Sequence, residues 1–456
     1  MNVLTETTTD YLAQYDQALP ADKFPLVRRW LDNDPLPFFK ELRERRPILV
    51  TPECTIVTLF DDVTELLNLP SIFTVALYLP KMGNGIYLMA HDDDAVHTRE
   101  KSLMLGLLNR DDLPQVRALV AKTANELIIS ANGRMEAISG FCRMVPATIV
   151  QNYFGLTGIP KTDLIEWSYW AQNDTFYNQP FDLLSSEKSK AIMDRHNQTG
   201  AALGKAMGEL IIGTELEVKA EFAAHTILAP WYLLRIAVRK LLGKQSSKLT
   251  DTIVKRMVRT AYPKAVDFDI KRIAVNAGGL LIGSIETTSQ AVAQVIQFLL
   301  RTPELLATAR DAAQMQNTAE FDGIVWEALR FVPISPYLFR QSAKDYTLAK
   351  GTGHATTVEA GTYVLAATQS AMFDKRAFED PEKFIPGRNW YHYFHFGFGS
   401  HECLGKYVGM VMIPEMVRQI LLIPGLKADG AIDYEGGHLP QRYQLSWNPA
   451  AVSFNT

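Results

Sequence analysis

Residues 394–405 read FHFGFGSHECLG, and no other stretch of the chain restricts the fold as tightly. Glycines at 397, 399 and 405 permit sharp turns and let the backbone approach a flat ligand closely. Cys403 follows, immediately before an apolar run at helical spacing over 404–421. Free N–H groups at a helix start favour an anion, so this position favours a thiolate, which acts as a nucleophile or a metal ligand. A nucleophile would need a base, and His401 or His395 could supply one, as in a cysteine hydrolase. A buried structural cysteine beside a flexible loop is the plainer alternative. The two other cysteines, Cys54 and Cys142, lie in apolar patterns and read as small buried hydrophobes, too far apart for a zinc motif or a disulfide framework.

The rest of the chain predicts a mainly α fold with a small β-rich portion. Helical spacing runs through 35–46, 92–130, 135–155, 186–213, 267–300, 303–331 and 404–421. Strand-like alternation is confined to 48–60, 343–350, 361–368 and 442–447, so a small sheet assembled from distant pieces is expected. The 456 residues are 47% hydrophobic and 21% charged, which is enough for a large core, and length alone would suggest about two or three domains. A net charge of −4 without a basic patch argues against a nucleic-acid surface. The opening MNVLTETTTDYLAQYD is polar and acidic, unlike a signal peptide or an anchor, and points to a soluble cytoplasmic protein.

Phe396, Gly397, Gly399, His401, Cys403 and Gly405 resemble the cysteine loop of the cytochrome P-450 family. Further stretches carry the same resemblance. Glu327-Ala-Leu-Arg330 is similar to the family's ExxR signature, and DPEKFIPGRNW to its meander, which places Arg388 as the third member of a buried Glu327–Arg330–Arg388 network bracing the cysteine loop. Gly283-Ser284-Ile285-Glu286-Thr287-Thr288 resembles the central-helix motif, with Ser284 where the family often has glycine. Thr287 is expected to bond back to the preceding turn and loosen the helix there.

The resemblance implies one haem domain over 25–456 behind a polar segment 1–24, with haem b between the central helix and the cysteine-bearing helix. Cys403 would be the axial thiolate, whose electron donation favours O–O cleavage. Glu286 and Thr287 would relay protons. The cofactor would rest on Phe396, Gly397 and Gly405, and its propionates would meet His97, Lys101, Arg340 and His401. Asp92, Asp93 and Asp94 read as a solvated helix start. Tyr78, Tyr87, Gly279, Gly283, Ser284, Tyr337 and His438 are expected around a hydrophobic small-molecule substrate.

The implied activity is hydroxylation or epoxidation with O2. No GxGxxG fingerprint sits on a strand-turn-helix, so no flavin or NAD site is expected, and electrons would come from a ferredoxin or flavodoxin with its reductase. A haem-thiolate isomerase, dehydratase or peroxide-driven enzyme is the nearer alternative, and a non-catalytic haem-binding protein the more distant one. The Glu286–Thr287 pair argues against both. Residues 214–248 form a longer connection than usual in the family. Within it, 222–242 carries Trp231, Tyr232, Arg235, Arg239 and Lys240, and reads as an extra helix over the substrate entrance in preference to a membrane-surface contact.

Overall fold

The computed structural model describes residues 10–83, 85–92, 94–241, 251–262 and 266–451, with backbone only over 224–241. Three helices open the chain, α1 (Tyr11–Gln17), α2 (Pro20–Asn33) and α3 (Pro35–Arg45). Asp10 caps the first by accepting from the Ala13 N–H, and α2 buries Phe24, Val27 and Leu31 along one face. The segment expected as polar over 1–24 is thus helical from Tyr11, and the boundary at residue 24 falls inside α2. Strands β1 (Ile48–Val50) and β2 (Thr55–Val57), helix α4 (Phe60–Leu67) and strand β3 (Phe73–Thr74) follow.

Helices α5 (Ala95–Leu107) and α6 (Leu113–Ser130) divide the periodic run 92–130, with Pro114 fitted into the first turn of α6. Asp94 caps α5 through the His97 N–H, while Asp92 accepts from the Val75 N–H, so these two acids serve backbone donors and are not simply solvated; Asp93 lies outside the described residues. Strand β4 (Arg134–Glu136) precedes α7 (Met144–Ile149), α8 (Lys161–Tyr177), α9 (Ser186–Leu241) and α10 (Ile253–Thr260). Helix α9 has 56 residues, roughly 84 Å at 1.5 Å per residue. Much of the expected connection 214–248 is therefore a continuation of α9. Residues 242–250, and the side chains of Trp231, Tyr232, Arg235, Arg239 and Lys240, lie outside the described part.

The central helix α11 (Ile270–Leu300) is capped by Asp269 and buried for most of its length. Then come α12 (Pro303–Gln314), α13 (Ala319–Phe331), strands β5 (Leu338–Ser342), β6 (Tyr346–Leu348), β7 (Thr356–Val358) and β8 (Tyr363–Ala366), helices α14 (Thr368–Ala371) and α15 (Lys406–Leu421), and strands β9 (Lys427–Ala428) and β10 (Gln444–Ser446). The main sheet has the order β1-β2-β8-β5-β3, with β2 and β8 parallel and the other pairs antiparallel. It joins residue 48 to residue 366, which is the assembly from distant pieces expected of the β-rich portion. A second sheet, β4-β10-β9, and the β6-β7 hairpin complete the β structure among the described residues. One apolar core joins α6, α11, α13 and α15, and a second packs the first three helices on the main sheet. Among the described residues no helix is long and apolar enough to cross a membrane.

Candidate functional site

The loop before α15 explains its own glycines. Gly397 and Gly399 have φ of 75° and 70°, where other residues are strained, and a Cβ on Gly399 would lie 2.7 Å from the Leu67 carbonyl. Gly405 differs from expectation. Its φ is −83°, open to any residue, and what it contributes is closeness: a Cβ there would sit 3.9 Å from Cys403 Sγ. Phe396 folds back over α15, where only hydrogen at Gly409 leaves room for its ring. Its carbonyl accepts from the Cys403 N–H at 2.8 Å, closing the turn.

Cys403 is accessible, yet enough protein surrounds it that desolvation governs its ionisation. Burial pushes the thiol pKa up, and the Gly405 N–H with the positive Lys101 and Lys406 offsets only part of this. The helix start alone therefore does not produce the expected thiolate. Metal coordination would, since a ligating thiol is deprotonated outright. Of the two histidines that could serve a hydrolase as base, His395 is engaged elsewhere: its Nε2 bonds the Trp326 carbonyl at 2.9 Å and burial lowers its pKa to about 4.

Four donors gather near this loop. The rings of His97 and His401 lie 4.8 Å apart. Burial first, then the charges of Arg340 and Lys101, lower the His401 pKa to about 3, and neither of its buried ring nitrogens makes a well-aligned hydrogen bond among the described residues. Arg340 is buried on β5 and donates to its neighbour's carbonyl, Phe339 O, at 2.8 Å; no carboxylate among the described residues pairs with it. Lys101 Nζ donates to the carbonyls of Ser400 and of Glu402, the latter at 2.7 Å. A buried guanidinium and an imidazole to which no carboxylate is hydrogen-bonded among the described residues, near a loop with an accessible sulfur, fit a planar apolar group that carries carboxylates and a metal.

On α11, Thr287 Oγ1 donates to the Gly283 carbonyl at 2.7 Å, and Ser284 to the Leu280 carbonyl. The helix nevertheless runs unbroken through this turn, contrary to the expected loosening, because a carbonyl's second lone pair can accept a hydroxyl without displacing the backbone N–H. Gly283 is exposed between half-buried Ile282 and Ser284, and a Cβ there would meet nothing within 4 Å. Glu286 is buried against Arg143, with Oε2 accepting from Nε at 3.1 Å and Nη2 at 3.0 Å. Burial raises its pKa and the Arg143 charge pulls it back. Arg143 also holds the Pro440 carbonyl at 3.1 Å. Sequence reading missed Arg143, since 143 positions separate the partners.

The Glu327–Arg330–Arg388 cluster assembles as expected. Arg330 donates to both Glu327 oxygens at 2.6 and 3.1 Å, and Arg388 to one at 3.1 Å. Tyr393 adds an unforeseen O–H···Oε2 bond of 2.7 Å, and Glu327 is held below the usual carboxylate range despite burial.

The expected substrate contacts divide. Tyr87 presses on Gly279 and lies within electrostatic reach of Cys403, which links α11 to the cysteine loop. Tyr78 packs edge-on against Phe176 and Phe339 and feels the charge of Arg340. Tyr337 is drawn elsewhere, its hydroxyl accepting from Arg28 of α2. His438 stacks on Tyr177, centroids 5.0 Å apart, at the end of α8.

Comparison with known proteins agrees with this geometry. The cytochrome P450 family model matches residues 236–422. The mycinamicin IV hydroxylase/epoxidase of Micromonospora griseorubida is 24% identical over 408 residues, 85% of this chain and 88% of that one. The cyclomarin C epoxidase of Salinispora arenicola is 24% identical over 395 residues, 83% and 84% of the two chains. The haem domain of CYP116B5 from Acinetobacter radioresistens has the same fold, with a TM-score of 0.70 at 16% identity over 91% of this chain and 94% of that one. The cysteine loop, the central helix and these likenesses together support a cytochrome P450 of the bacterial type, with the fold of the P450 haem domains.

Proposed function

We propose that this chain inserts one atom of O2 into a C–H or C=C bond of a hydrophobic small molecule, using electrons from a separate ferredoxin or flavodoxin and its reductase. The observation that carries the reading is an accessible Cys403 within protein dense enough to control its ionisation, in one loop with His401, which lies within electrostatic reach of the buried Arg340; among the described residues no carboxylate is hydrogen-bonded to either. Haem b, when bound, supplies the activation of O2 and the oxygen transfer. Cys403 holds its metal, and His97, Lys101, Arg340 and His401 receive its carboxylates.

Thr287 and Glu286 manage the proton. The Thr287 hydroxyl, anchored by its bond to the Gly283 carbonyl, keeps an oxygen lone pair for a donor water. The raised pKa of Glu286 brings its protonated form closer to neutral pH, and Arg143 orients the carboxyl. The apolar surroundings of Tyr78 and Tyr87 exclude water and suit an apolar substrate. Two relatives named for hydroxylation or epoxidation support this reaction type. Arg110, exposed over the Tyr407 ring at 3.7 Å on α15, offers positive charge for an electron donor on the cysteine side.

Reduction under carbon monoxide tests the reading. The haem-loaded protein is expected to show the strongly red-shifted Soret band of a thiolate complex, and Cys403→Ser to lose it. Turnover that needs ferredoxin and reductase supports the monooxygenase, whereas equal turnover with peroxide alone supports the peroxide-driven alternative.

A further inference from the structure

Glu100 is a fully buried carboxylate on α5, three residues beyond His97, and the reaction described above makes no use of it. It is held by α11. Arg272 Nε and Nη2 grip its two oxygens at 2.5 and 2.6 Å, and Asn276 Nδ2 donates to it at 2.8 Å. Both α11 residues then reach past it to one short segment. Arg272 Nη1 donates to the Ile86 carbonyl at 2.8 Å, and Asn276 Oδ1 accepts from the Leu88 N–H at 3.4 Å. Tyr87 is the residue between them.

Positions 272, 276 and 279 fall along one stripe of α11, so the ring that follows from this grip lands on the next small residue of the stripe. That residue is Gly279, where an added Cβ would lie 2.2 Å from Tyr87 Cε2. Gly85 seats the near end of the segment just as closely, since a Cβ there would lie 2.4 Å from Val275 Cγ2. The segment is thus flush with α11 at each described residue from 85 to 88, and the Tyr87 ring is half-buried, within electrostatic reach of Cys403.

We infer that Glu100 is a positioning residue: by fixing Arg272 and Asn276 it locks residues 85–88 onto α11 and makes Tyr87 a rigid wall that limits the size of ligand accepted against α11 at Gly279. A charged clamp suits this task. Guanidinium and carboxylate meet in a planar, two-bond geometry, and the amide of Asn276 can give one hydrogen bond to Glu100 while taking another from the segment. The proposal rests on the haem-thiolate reading of Cys403, because that reading places the bound molecule on this side of α11.

The test uses the haem-loaded ferric protein titrated with imidazole and with 4-phenylimidazole, followed by absorption. Tyr87→Ala is expected to strengthen 4-phenylimidazole relative to imidazole by about tenfold, the scale on which a pocket separates ligands differing by a small apolar group. The paired change Glu100→Gln with Arg272→Gln, which leaves no unpaired buried charge, is expected to move the ratio the same way with Tyr87 intact. Gly279→Ala should alter 4-phenylimidazole binding in the parent and leave it unaltered in the Tyr87→Ala background. Hydrogen exchange on the haem-free protein gives a second readout, in which Asn276→Ala and the paired change should speed exchange of the 85–88 amides. If the paired change leaves both the azole ratio and the exchange of 85–88 as in the parent, or if Gly279→Ala acts equally with and without Tyr87, the clamp is overturned. Loss of the haem-thiolate reading would register separately, as a parent protein lacking the red-shifted carbon monoxide band while the exchange result stands on its own.

Discussion

Glu327 accepts hydrogen bonds from Arg330, Arg388, Tyr393 and the Ile385 N–H, all converging on one buried carboxylate. Arg330 passes the load on to the carbonyls of Met372, Pro381 and Lys383, so an α13 pair holds the stretch that leads into the cysteine loop. Removing one partner of such a pair strands the other. Arg330→Met is therefore expected to cost about 3–5 kcal/mol in denaturant unfolding, with part recovered when Glu327→Gln is added. Thr287 acts more locally: Thr287→Ala leaves Gly283 and its surroundings intact, so it should release more peroxide per electron pair without weakening ligand binding. Unchanged coupling would remove Thr287 from the relay. At this scale the sequence was readable where partners are near or share a motif, as with Glu327 and Arg330 three residues apart. It was silent on Arg143, Tyr393 and Arg272, whose partners are brought to them only by folding. Glu100 did leave a trace, since three residues from His97 on a helix puts it on the same buried side.

Helices α8 and α9 show the limits of periodicity. Sequence reading passed over α8, because it is packed by α9 on one side and α11 on another and buries polar residues, Ser168, Gln172 and Asp174, with its apolar ones. No single apolar stripe results. Its polar residues are used: Gln172 Nε2 donates to the Ile282 carbonyl of α11 at 2.8 Å, and Asp174 collects Lys81 and His196 at 2.8 Å each, with Asn178 at 2.7 Å. Asp174 thereby ties the end of α8 to the segment before Tyr87 and to the start of α9. If these elements part to admit a ligand, the Lys81 ion pair and the His196 hydrogen bond oppose the opening. Asp174→Asn keeps the shape and removes the charge. Stopped-flow mixing of the ferric protein with 4-phenylimidazole should then show a faster association rate, and an unchanged rate would mean that entry does not pass this contact.

At the scale of the whole molecule, the mainly α architecture and the scattered sheet were legible because long buried helices and short alternating strands have different periods. Strands β3, β4 and β9, of two or three residues each, were too short to carry a pattern. Placement of charge in the fold was not legible either, and it sets how stability answers to pH. His395, half-buried on the Trp326 carbonyl, has its pKa lowered by desolvation from 6.5 to about 4, so between those values the unfolded chain takes up a proton that the folded one refuses. Stability from His395 is therefore lost as pH falls from 6.5 to about 4. Asp182 is the reverse case: burial raises its pKa from 3.8 to about 6 against the pull of Arg28, so the folded chain binds the proton first, and its contribution grows as pH falls from about 6 towards 3.8. Unfolding measured at pH 7 and pH 5 should separate the two. The stability of the parent relative to His395→Phe should fall on acidification, and relative to Asp182→Asn it should rise. If both differences moved in the same direction, one of these two groups would not be held in the ionisation state that the fold assigns to it.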